Sequence, residues 1–222
     1  KETKTCLSIK KIRKELLKSK DKIRITDFGA GSQINRNKIR KIKDIARHSS
    51  KNEKFGRLLY RIAKHYKSKN ILELGTSFGI STSYLAKANK KSTVYSFEGC
   101  PESIKIAKNN FKKLNINNVN IIEGEFEKTL IQKIKSINKI DLIFIDGNHQ
   151  EIATIKYFKT LLKYANNDTI FIFDDINWSK GMMKAWKKIK ENPNTTVSIN
   201  LFFVGIIFIK KELSKEHFNI NF

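Results

Sequence analysis

Acidic residues follow two strand-like runs of the sequence, at the point where each run ends. The run "IDLIFID" ends in Asp146, and the run "TIFIFDD" ends in Asp174 and Asp175. If the two strands are neighbours in a parallel sheet, their carboxyl ends meet, so three carboxylates gather and repel one another. A divalent cation such as Mg²⁺ relieves that repulsion. We therefore predict a metal site with the ligands Asp146, Asp174 and Asp175. The alternative is that these acids cap helices and make one cofactor contact.

His149 follows Asp146 by three residues, at the entrance of the next predicted helix. Group transfer to a hydroxyl requires a deprotonated hydroxyl; a metal lowers the hydroxyl pKa, and a nearby imidazole accepts the proton. His149 and Asp146 are therefore the candidate catalytic residues, and the alternative for His149 is a helix-capping or surface histidine. Further along, Trp178, Met182 and Trp186 lie at roughly helical spacing, where they either line an acceptor pocket or pack in the core.

A glycine-rich turn is the second candidate site. The stretch "ILELGTSFGIST" (Ile71–Thr82) reads as a buried strand, a turn with Gly75 and Gly79, and the start of a helix. Glycines let a backbone approach a ligand closely, and a helix N-terminus offers free N–H groups. Glu98 ends the next predicted strand about 20 residues on, where a carboxylate can hold both hydroxyls of a ribose. This spacing favours an adenosine-bearing cofactor; the alternative is a tight strand–helix turn with a surface glutamate.

The form of this turn separates cofactors. A dinucleotide site would show GxGxxG, whereas this chain has E-x-G-x-S-x-G, in which Glu73 repels a pyrophosphate but suits a cationic or amino-bearing ligand. The pattern resembles motif I of class I S-adenosylmethionine (SAM) methyltransferases, and the resemblance extends over about residues 68–210. It implies SAM as the cofactor, with Glu98 on the ribose and Glu125, in "EGEF", by the adenine. The cofactor-binding residues that it implies are Glu73, Gly75, Thr76, Ser77, Gly79, Ser81, Glu98, Gly99, Glu125, Phe126 and Asp146.

The strand-end acids extend the resemblance to metal-dependent O-methyltransferases of the catechol and macrolide-sugar kind. In those enzymes the metal ligands follow strands four and five, and the base often lies three residues after the first ligand. The resemblance implies Asp146, Asp174 and Asp175 as ligands, His149 as the base, and methyl transfer from SAM to a hydroxyl of a small molecule. Catechol-type enzymes have Asn as the last ligand and Lys as the base. Asp175 and His149 are nearer the sugar-modifying type, which leaves the acceptor open.

A second stretch, "ITDFGAGS" (Ile25–Ser32), imitates the cofactor turn with Asp27, Gly29 and Gly31. No strand ending in an acid follows it at the distance that Glu98 keeps from the first turn. We predict a structured N-terminal loop that packs over the cofactor or acceptor mouth. The alternative is a plain turn that joins two surface helices.

The order of strand and helix patterns predicts the fold class. Five strand patterns lie after Tyr66, each followed by a helix pattern. The strands are predicted at 70–75, 92–98, 119–123, 140–146 and 169–174, and the helices at 80–89, 102–114, 126–136, 150–165 and 179–190. Such alternation is typical of a parallel sheet with helices on both faces, and runs at 195–201 and 203–210 add an antiparallel hairpin. We therefore expect an α/β, doubly wound, mostly parallel seven-stranded sheet of the Rossmann-like kind with an antiparallel C-terminal hairpin.

The N-terminal third differs from the rest in pattern and in charge. Helices are predicted at 7–18, 34–48 and 52–66, so we divide the chain into a basic helical extension, 1–67, on the lid or acceptor side, and a SAM-binding domain, 68–222. The extension holds 22 Lys/Arg against 6 Asp/Glu, in a chain with a net charge of +24. A basic surface favours an anionic partner. The cations are mostly Lys and the chain is rich in Asn and Ile, so compositional drift in an AT-rich genome stays open as well.

Two alternative functions stay open beside the small-molecule enzyme. One is an RNA 2′-hydroxyl methyltransferase that uses the basic N-terminal surface, and the other is a non-catalytic SAM-binding module. Nucleic acid is nevertheless disfavoured as a partner, because amino-group base methylases carry (N/D)PP(Y/F) after strand four, where this chain has Asp-Gly-Asn-His. The expected partner is a small hydroxylated acceptor, and a homodimer is an open alternative.

Composition also bears on the compartment. No apolar run approaches the roughly 20 residues that span a bilayer. The Lys-rich N-terminus shows no apolar signal segment. The two cysteines, Cys6 and Cys100, form no CxxC pair, so neither a disulfide scaffold nor a thiolate zinc site is expected. These features predict a cytoplasmic protein without a membrane span.

Overall fold

The computed structural model describes residues 2–26, 38–49 and 52–222. The helices are α1 (Glu2–Lys18), α2 (Ile42–Ser49), α3 (Glu53–His65), α4 (Ile80–Ala88), α5 (Pro101–Lys113), α6 (Phe126–Ile134), α7 (Glu151–Leu162) and α8 (Lys180–Lys190). The strands are β1 (Lys22–Arg24), β2 (Ile39–Lys41), β3 (Asn70–Leu74), β4 (Thr93–Glu98), β5 (Val119–Glu123), β6 (Leu142–Ile145), β7 (Ile170–Asp174), β8 (Val197–Asn200), β9 (Val204–Phe208) and β10 (Glu216–Asn219). No helix in these described ranges is long and apolar enough to cross a membrane.

The central strands are apolar almost throughout. β3 reads NILEL, β6 reads LIFI and β7 reads IFIFD, and every residue of β6 and β7 is buried. Strands that are covered on both faces carry such continuous apolar runs, because neither face meets water. β5, β4, β3, β6 and β7 lie side by side in this order, and each neighbouring pair is parallel. The prediction of a doubly wound, mostly parallel sheet is confirmed.

The edge beyond β7 holds one strand more than the sequence predicted. β8 and β9 form the expected antiparallel hairpin, and β9 also runs antiparallel to β7. β10 then adds to β8 in parallel, with Phe218 opposite Ile199. The sheet formed by the described residues therefore has eight strands instead of seven. β10 escaped the prediction because its residues, EHFN, are all exposed and lack a run of apolar side chains.

Two apolar cores lie on the two faces of the sheet. On one face, α4 and α5 share a buried cluster with the N-terminal helices, in which Cys6 and Ile9 of α1 are grouped with Ile71 of β3. On the other face, α6, α7 and α8 cover the strands, and Phe158 and Trp186 belong to that cluster. The N-terminal helices are thus packed into one of the cores of the sheet.

Among the described residues, the N-terminal segment departs from the prediction at two short strands. The helix predicted at 34–48 starts only at Ile42 among the described residues, and Ile39–Lys41 is a strand. It pairs antiparallel with Lys22–Arg24, and the N–H of Ile42 donates to the carbonyl oxygen of Asp21 at 2.9 Å. The helix prediction was wrong for residues 39–41 because a local apolar pattern does not reveal pairing with a distant strand.

The strand order reverses beside β3. From β3 the chain moves outward to β4 and β5, and it then returns to β6 on the other side of β3. Open sheets of this kind bind ligands outside the carboxyl ends of the strands, at the point of reversal. The fold therefore brings the ends of β3, β4, β6 and β7 to the edge where the predicted site residues lie.

Candidate active site

The turn between β3 and α4 lies directly against the residue that follows β6. Gly75 has a φ of 103°, and a Cβ atom at this position would lie 2.3 Å from the carbonyl oxygen of Asp146. Glycine alone avoids both the backbone strain and this clash. The N–H groups of Gly75 and Thr76 donate to the carbonyl oxygen of Phe97 at 3.0 and 3.1 Å. The turn is therefore fixed between the ends of β4 and β6.

Glu98 holds the same turn from the end of β4. Its carboxylate accepts hydrogen bonds from the N–H of Ser77 at 2.7 Å and from the N–H of Cys100 at 2.9 Å. Ser77 has a φ of 47°, a conformation uncommon outside glycine, asparagine and aspartate, so the bond to Glu98 stabilises a strained turn residue. The side chain of Glu98 is half-buried. The residue predicted to contact a ribose therefore stands beside the turn with its carboxylate fixed.

Glu73 lies beneath the turn. Its side chain is fully buried, and its Oε2 accepts hydrogen bonds from the hydroxyls of Thr82 and Ser96, each at 2.5 Å. The Ser96 hydroxyl also lies 2.5 Å from the hydroxyl of Thr76. Burial raises the pKa of Glu73 to about 7, although the hydrogen bonds from Ser96, Thr82 and Ser81 lower it. The network joins the turn, the first helix turn of α4 and strand β4 into one unit.

One carboxylate oxygen of Glu73 takes no part in that network. Oε1 of Glu73 is buried and has no hydrogen-bond partner among the described residues. A buried carboxylate oxygen without a donor is costly unless the group is protonated or a donor is supplied from outside. The position is therefore suited to a neutral carboxylic acid or to a ligand with an amino group nearby.

The remaining predicted cofactor residues lie around this turn. Gly79 is the N-cap of α4 with a φ of 76°, and a Cβ atom there would lie 2.5 Å from the ring of Phe111, so it sets the close packing of α4 on α5. Ser81 is buried in the first turn of α4, and Gly99 directly follows Glu98 and is half-buried.

Glu125 and Phe126 lie at the start of α6, beyond the end of β5. Glu125 is the N-cap residue and pairs with Lys128 at 2.6 Å. The ring of Phe126 covers Gly147, where a Cβ atom would lie 2.6 Å from it, and contacts Tyr157 with ring centroids 5.8 Å apart. Since Gly147 directly follows Asp146, Phe126 forms an apolar wall beside the predicted site.

Asp146, His149 and Asp174 form a group that could hold a metal ion. Each offers one ligand atom, and these atoms all lie within 4.8 Å of one another. Nε2 of His149 is 3.7 Å from Oδ1 of Asp146. Asp174 is buried, and the other two are partly exposed. Within the described ranges Asp175 is not a member of this group; it has a φ of 53° in the sharp turn after β7.

The two tryptophans of the C-terminal half have different environments. Trp178 is 47% exposed, and its ring meets His149 edge-on with centroids 5.9 Å apart. Met182 and Trp186 are buried. The ring of Trp186 packs so closely on Gly205 that a Cβ atom at Gly205 would lie 2.5 Å from the ring. Of the three residues considered for an acceptor pocket, Trp178 alone stands at the site, and the other two pack in the core.

The N-terminal segment contacts the turn at Ser77 and the segment after β4 at Cys100. The hydroxyl of Ser49, at the end of α2, lies 3.0 Å from the hydroxyl of Ser77. The thiol of Cys100 donates to the carbonyl oxygen of Arg24 at 3.6 Å. The imitation turn "ITDFGAGS" is described only at Ile25 and Thr26, so the prediction for Asp27, Gly29 and Gly31 lies outside the described residues.

Sequence reasoning missed the hydroxyl residues that hold Glu73. Ser96 is in the middle of β4, two residues before Glu98, and Thr82 is the third residue of α4. The sequence did hold a signal for Ser96: side chains alternate between the two faces of a strand, so Ser96 lies on the same face as Glu98. A polar residue at such a position could have been predicted to contact the site. The contact between the hydroxyls of Ser49 and Ser77 could not be predicted, because no pattern in the local sequence indicates it.

The side chains present fit a SAM-type cofactor and a divalent cation. The close approach of Gly75 to Asp146 leaves no room for a side chain in the turn, and the lone Oε1 of Glu73 lies beneath it. Two carboxylates and an imidazole are donors that divalent cations accept. Both fits rest on atoms of the described residues.

Residues 72–176 match the family model of a methyltransferase domain. The matched residues include the glycine turn, Glu98 and the group of Asp146, His149 and Asp174. The matched segment is thus similar to a methyltransferase domain over a little under half of the chain. It contains every residue implied for SAM, and its last residue lies just after Asp175.

The curated proteins to which the chain is similar include O-methyltransferases. The chain is 29% identical over 124 residues to the catechol O-methyltransferase of Niastella koreensis, covering 54% of this chain and 55% of that protein. It is 30% identical over 130 residues to an uncharacterized protein of Acanthamoeba polyphaga mimivirus, covering 53% of this chain and 58% of that protein. The chain thus spans a little over half the length of these two relatives.

Solved structures show the same fold. The O-methyltransferase of Bacillus cereus in complex with SAH has a TM-score of 0.62 at 23% identity, covering 72% of this chain and 83% of that chain. The O-methyltransferase TomG of Streptomyces achromogenes, in complex with SAM, has a TM-score of 0.61 at 16% identity, covering 73% and 82%. These similarities concern the arrangement of strands and helices.

Proposed function

We propose that the chain is a SAM-dependent O-methyltransferase that methylates a hydroxyl of a small molecule with the help of a divalent cation. One observation carries the proposal: the glycine turn and the acidic group touch, because the Cβ position of Gly75 lies 2.3 Å from the carbonyl oxygen of Asp146. A methyl donor held by the turn and a hydroxyl held by the acidic group would be neighbours. Such juxtaposition makes the transfer effectively intramolecular.

The residues around the turn hold and orient the cofactor. When bound, SAM supplies an electrophilic methyl group on a sulfonium centre. Glu98 presents a fixed carboxylate for the ribose hydroxyls, and its bonds to Ser77 and Cys100 keep it in place. Phe126 offers an apolar wall and Glu125 an acceptor on the adenine side. Glu73 stiffens the turn from below through Thr82 and Ser96.

Asp146 and Asp174 are the proposed core of the cation site. They belong to the group whose ligand atoms lie within 4.8 Å of one another, and they come from neighbouring strands of the sheet. A cation between them would lower the pKa of the acceptor hydroxyl. Asp175 is the proposed further ligand from the same strand end. Its carboxylate would have to turn toward the other two, since Asp175 is not in the described group.

His149 is the proposed base. Its Nε2 is 3.7 Å from Oδ1 of Asp146, and its ring contacts the ring of the exposed Trp178. In this position it can take the hydroxyl proton while Asp146 holds its orientation. The same geometry favours a second role as a cation ligand, because the ligand atoms of His149 and both aspartates lie within 4.8 Å of one another. A base is dispensable for cation binding and a ligand is not, so cation affinity separates the two roles.

The experiment that tests the function is a transfer assay with SAM labelled on its methyl group. The acceptors are a pool of hydroxylated metabolites and, separately, an RNA pool, each with Mg²⁺. The proposal expects label in small hydroxylated products and none above background in RNA. The Glu98→Gln variant serves as the matched negative control. Label confined to RNA, or none in either pool while SAM binds, would contradict the proposed acceptor class.

A further inference from the structure

The short hairpin of β1 and β2 carries an unusual concentration of positive charge. Its register places Lys22 directly opposite Lys41 and Arg24 opposite Ile39. Since side chains alternate between the two faces of a strand, these four residues share one face. Lys22, Arg24 and Lys41 are all exposed, and Ile39 is 49% exposed. The outward face of the hairpin is therefore a compact cationic surface, here named the cationic face (Lys22, Arg24, Lys41).

Folding alone does not favour this arrangement. Like charges directly opposite in a two-stranded ribbon destabilise it. No carboxylate among the described residues forms an ion pair with Lys22, Arg24 or Lys41. The hairpin is held to the rest of the protein by its opposite face, where Ile23 packs against the core cluster. The cationic face thus carries a repulsion that a bound anion would relieve.

The hairpin is attached to the rim of the cofactor turn. The carbonyl oxygen of Arg24 accepts from the thiol of Cys100, whose N–H donates to Glu98. On its other side β2 runs directly into α2, which ends at Ser49 against Ser77. Both connections lead to residues that hold the turn. The hairpin is therefore joined, through these contacts, to the residues that hold the turn.

We infer that the cationic face binds a phosphate group of the acceptor molecule, an inference that rests on the proposed transfer to a small hydroxylated molecule. The hairpin has three residue pairs and therefore spans only about 10 Å along each strand, at roughly 3.3 Å per residue. That length matches one phosphate or a diphosphate and is too short to track a nucleic-acid backbone. Lysine and arginine are the residues that recognise phosphate oxygens. The acceptor class is accordingly a hydroxylated phosphate ester.

The test measures binding of inorganic pyrophosphate and of SAM to the full chain by calorimetry at low salt. The variants are Lys22→Gln/Lys41→Gln and, as a matched control, Lys159→Gln/Lys163→Gln on and just after α7. We expect saturable 1:1 pyrophosphate binding, weakened about five- to tenfold by loss of the hairpin lysines. The control should bind within about twofold of the wild type. SAM affinity should be equal in all three proteins.

Stability separates binding from misfolding in this experiment. Because Lys22 and Lys41 repel each other, their joint replacement should leave the melting temperature unchanged or raise it. Equal pyrophosphate affinity in the wild type and the hairpin variant, or no binding at all, would overturn the inference. So would tight, steeply salt-dependent binding of a single-stranded oligoribonucleotide that the hairpin variant loses, which would assign the face to nucleic acid. A wild type that binds pyrophosphate but not SAM would instead contradict the proposed function.

Discussion

A Cβ atom at Gly75 would lie 2.3 Å from the carbonyl oxygen of Asp146, so the glycine turn and the residue that follows β6 are in backbone contact. This contact joins the end of β3 to the end of β6 at the point where the strand order reverses. It explains why the turn requires glycine at that position. It also means that a disturbance of either element reaches the other.

Gly75→Ala should therefore damage both stability and cofactor binding. The alanine would have to adopt a φ of 103° and displace the backbone of Asp146. We expect a loss of about 2–4 kcal/mol in the free energy of unfolding, together with loss of SAM binding. Urea unfolding and calorimetry measure the two effects. The control is Gly181→Ala in α8, where a Cβ atom finds its nearest neighbour at 3.6 Å. Equal stability of Gly75→Ala and the control would contradict this account of the turn.

Glu98→Gln should weaken SAM binding while the fold is retained. The wild-type carboxylate accepts from Ser77 and Cys100 with one oxygen each, and an amide has only one oxygen to offer. Loss of a charge-assisted bond costs about 1.5–3 kcal/mol, so the dissociation constant for SAM should rise about 10- to 100-fold. Glu102→Gln, on the exposed first turn of α5, is the control and should bind normally. An unchanged affinity in Glu98→Gln would remove Glu98 from the cofactor site.

Glu73 should make the stability of the protein depend on pH. Burial raises the pKa of this carboxyl from 4.5 to about 7, so the folded chain holds the proton more tightly than the unfolded chain. The contribution is full below pH 4.5 and is lost as the pH rises through 7. Glu73→Gln keeps an acceptor for Thr82 and Ser96 and does not ionise. Its stability relative to the wild type should rise between pH 5 and pH 8, by about 3 kcal/mol at most.

The measurement for Glu73 is urea unfolding of both proteins at four pH values between 5 and 8. A difference between variant and wild type that stays constant over this range would show that Glu73 is ionised throughout. The Glu102→Gln variant again serves as the control, because its carboxylate is exposed at the surface. It should show no such pH-dependent gain.

His149→Ala should separate catalysis from binding. If His149 is the base, the variant binds SAM and Mn²⁺ like the wild type but transfers methyl groups about 10²- to 10⁴-fold more slowly. Asp146→Asn should weaken Mn²⁺ binding as well, since Asp146 belongs to the proposed cation site. Calorimetry with Mn²⁺ and the labelled-methyl assay provide the readouts. A loss of Mn²⁺ affinity in His149→Ala, with Asp175→Asn unaffected, would make His149 a ligand in place of Asp175.

Much of the fold could be predicted because its strands carry their own signal. LIFI in β6 is apolar throughout, and IFIFD in β7 is apolar up to its final aspartate, as is typical of parallel strands covered on both faces. The helices between the strands were predicted from the helical spacing of their apolar residues. The same alternation predicted that these strands would be parallel, and their order in the sheet came only from the structure. β10 and the pairing of β1 with β2 could not be predicted, because short polar strands are stabilised by a partner that is distant in sequence.

The candidate site was predicted at the level of elements and less well at the level of contacts. The spacing from Gly75 to Glu98 and the acids after β6 and β7 placed the residues at one edge. The sequence did not show that Glu73 would lie buried beneath the turn, since its partners Ser96 and Thr82 come from two other elements. Nor did it show that His149 would be grouped with Asp146 and Asp174 while Asp175, in the sharp turn after β7, would not.

A crystal structure of the full chain grown with SAH would show directly whether Ile71–Thr82 holds the cofactor. We predict that the ribose hydroxyls lie on the carboxylate of Glu98, that the amino-acid end lies over Gly75, and that the sulfur faces Asp146. SAH bound away from Glu98 and Gly75, for example against residues 25–32, would contradict the claim that Ile71–Thr82 is the cofactor turn.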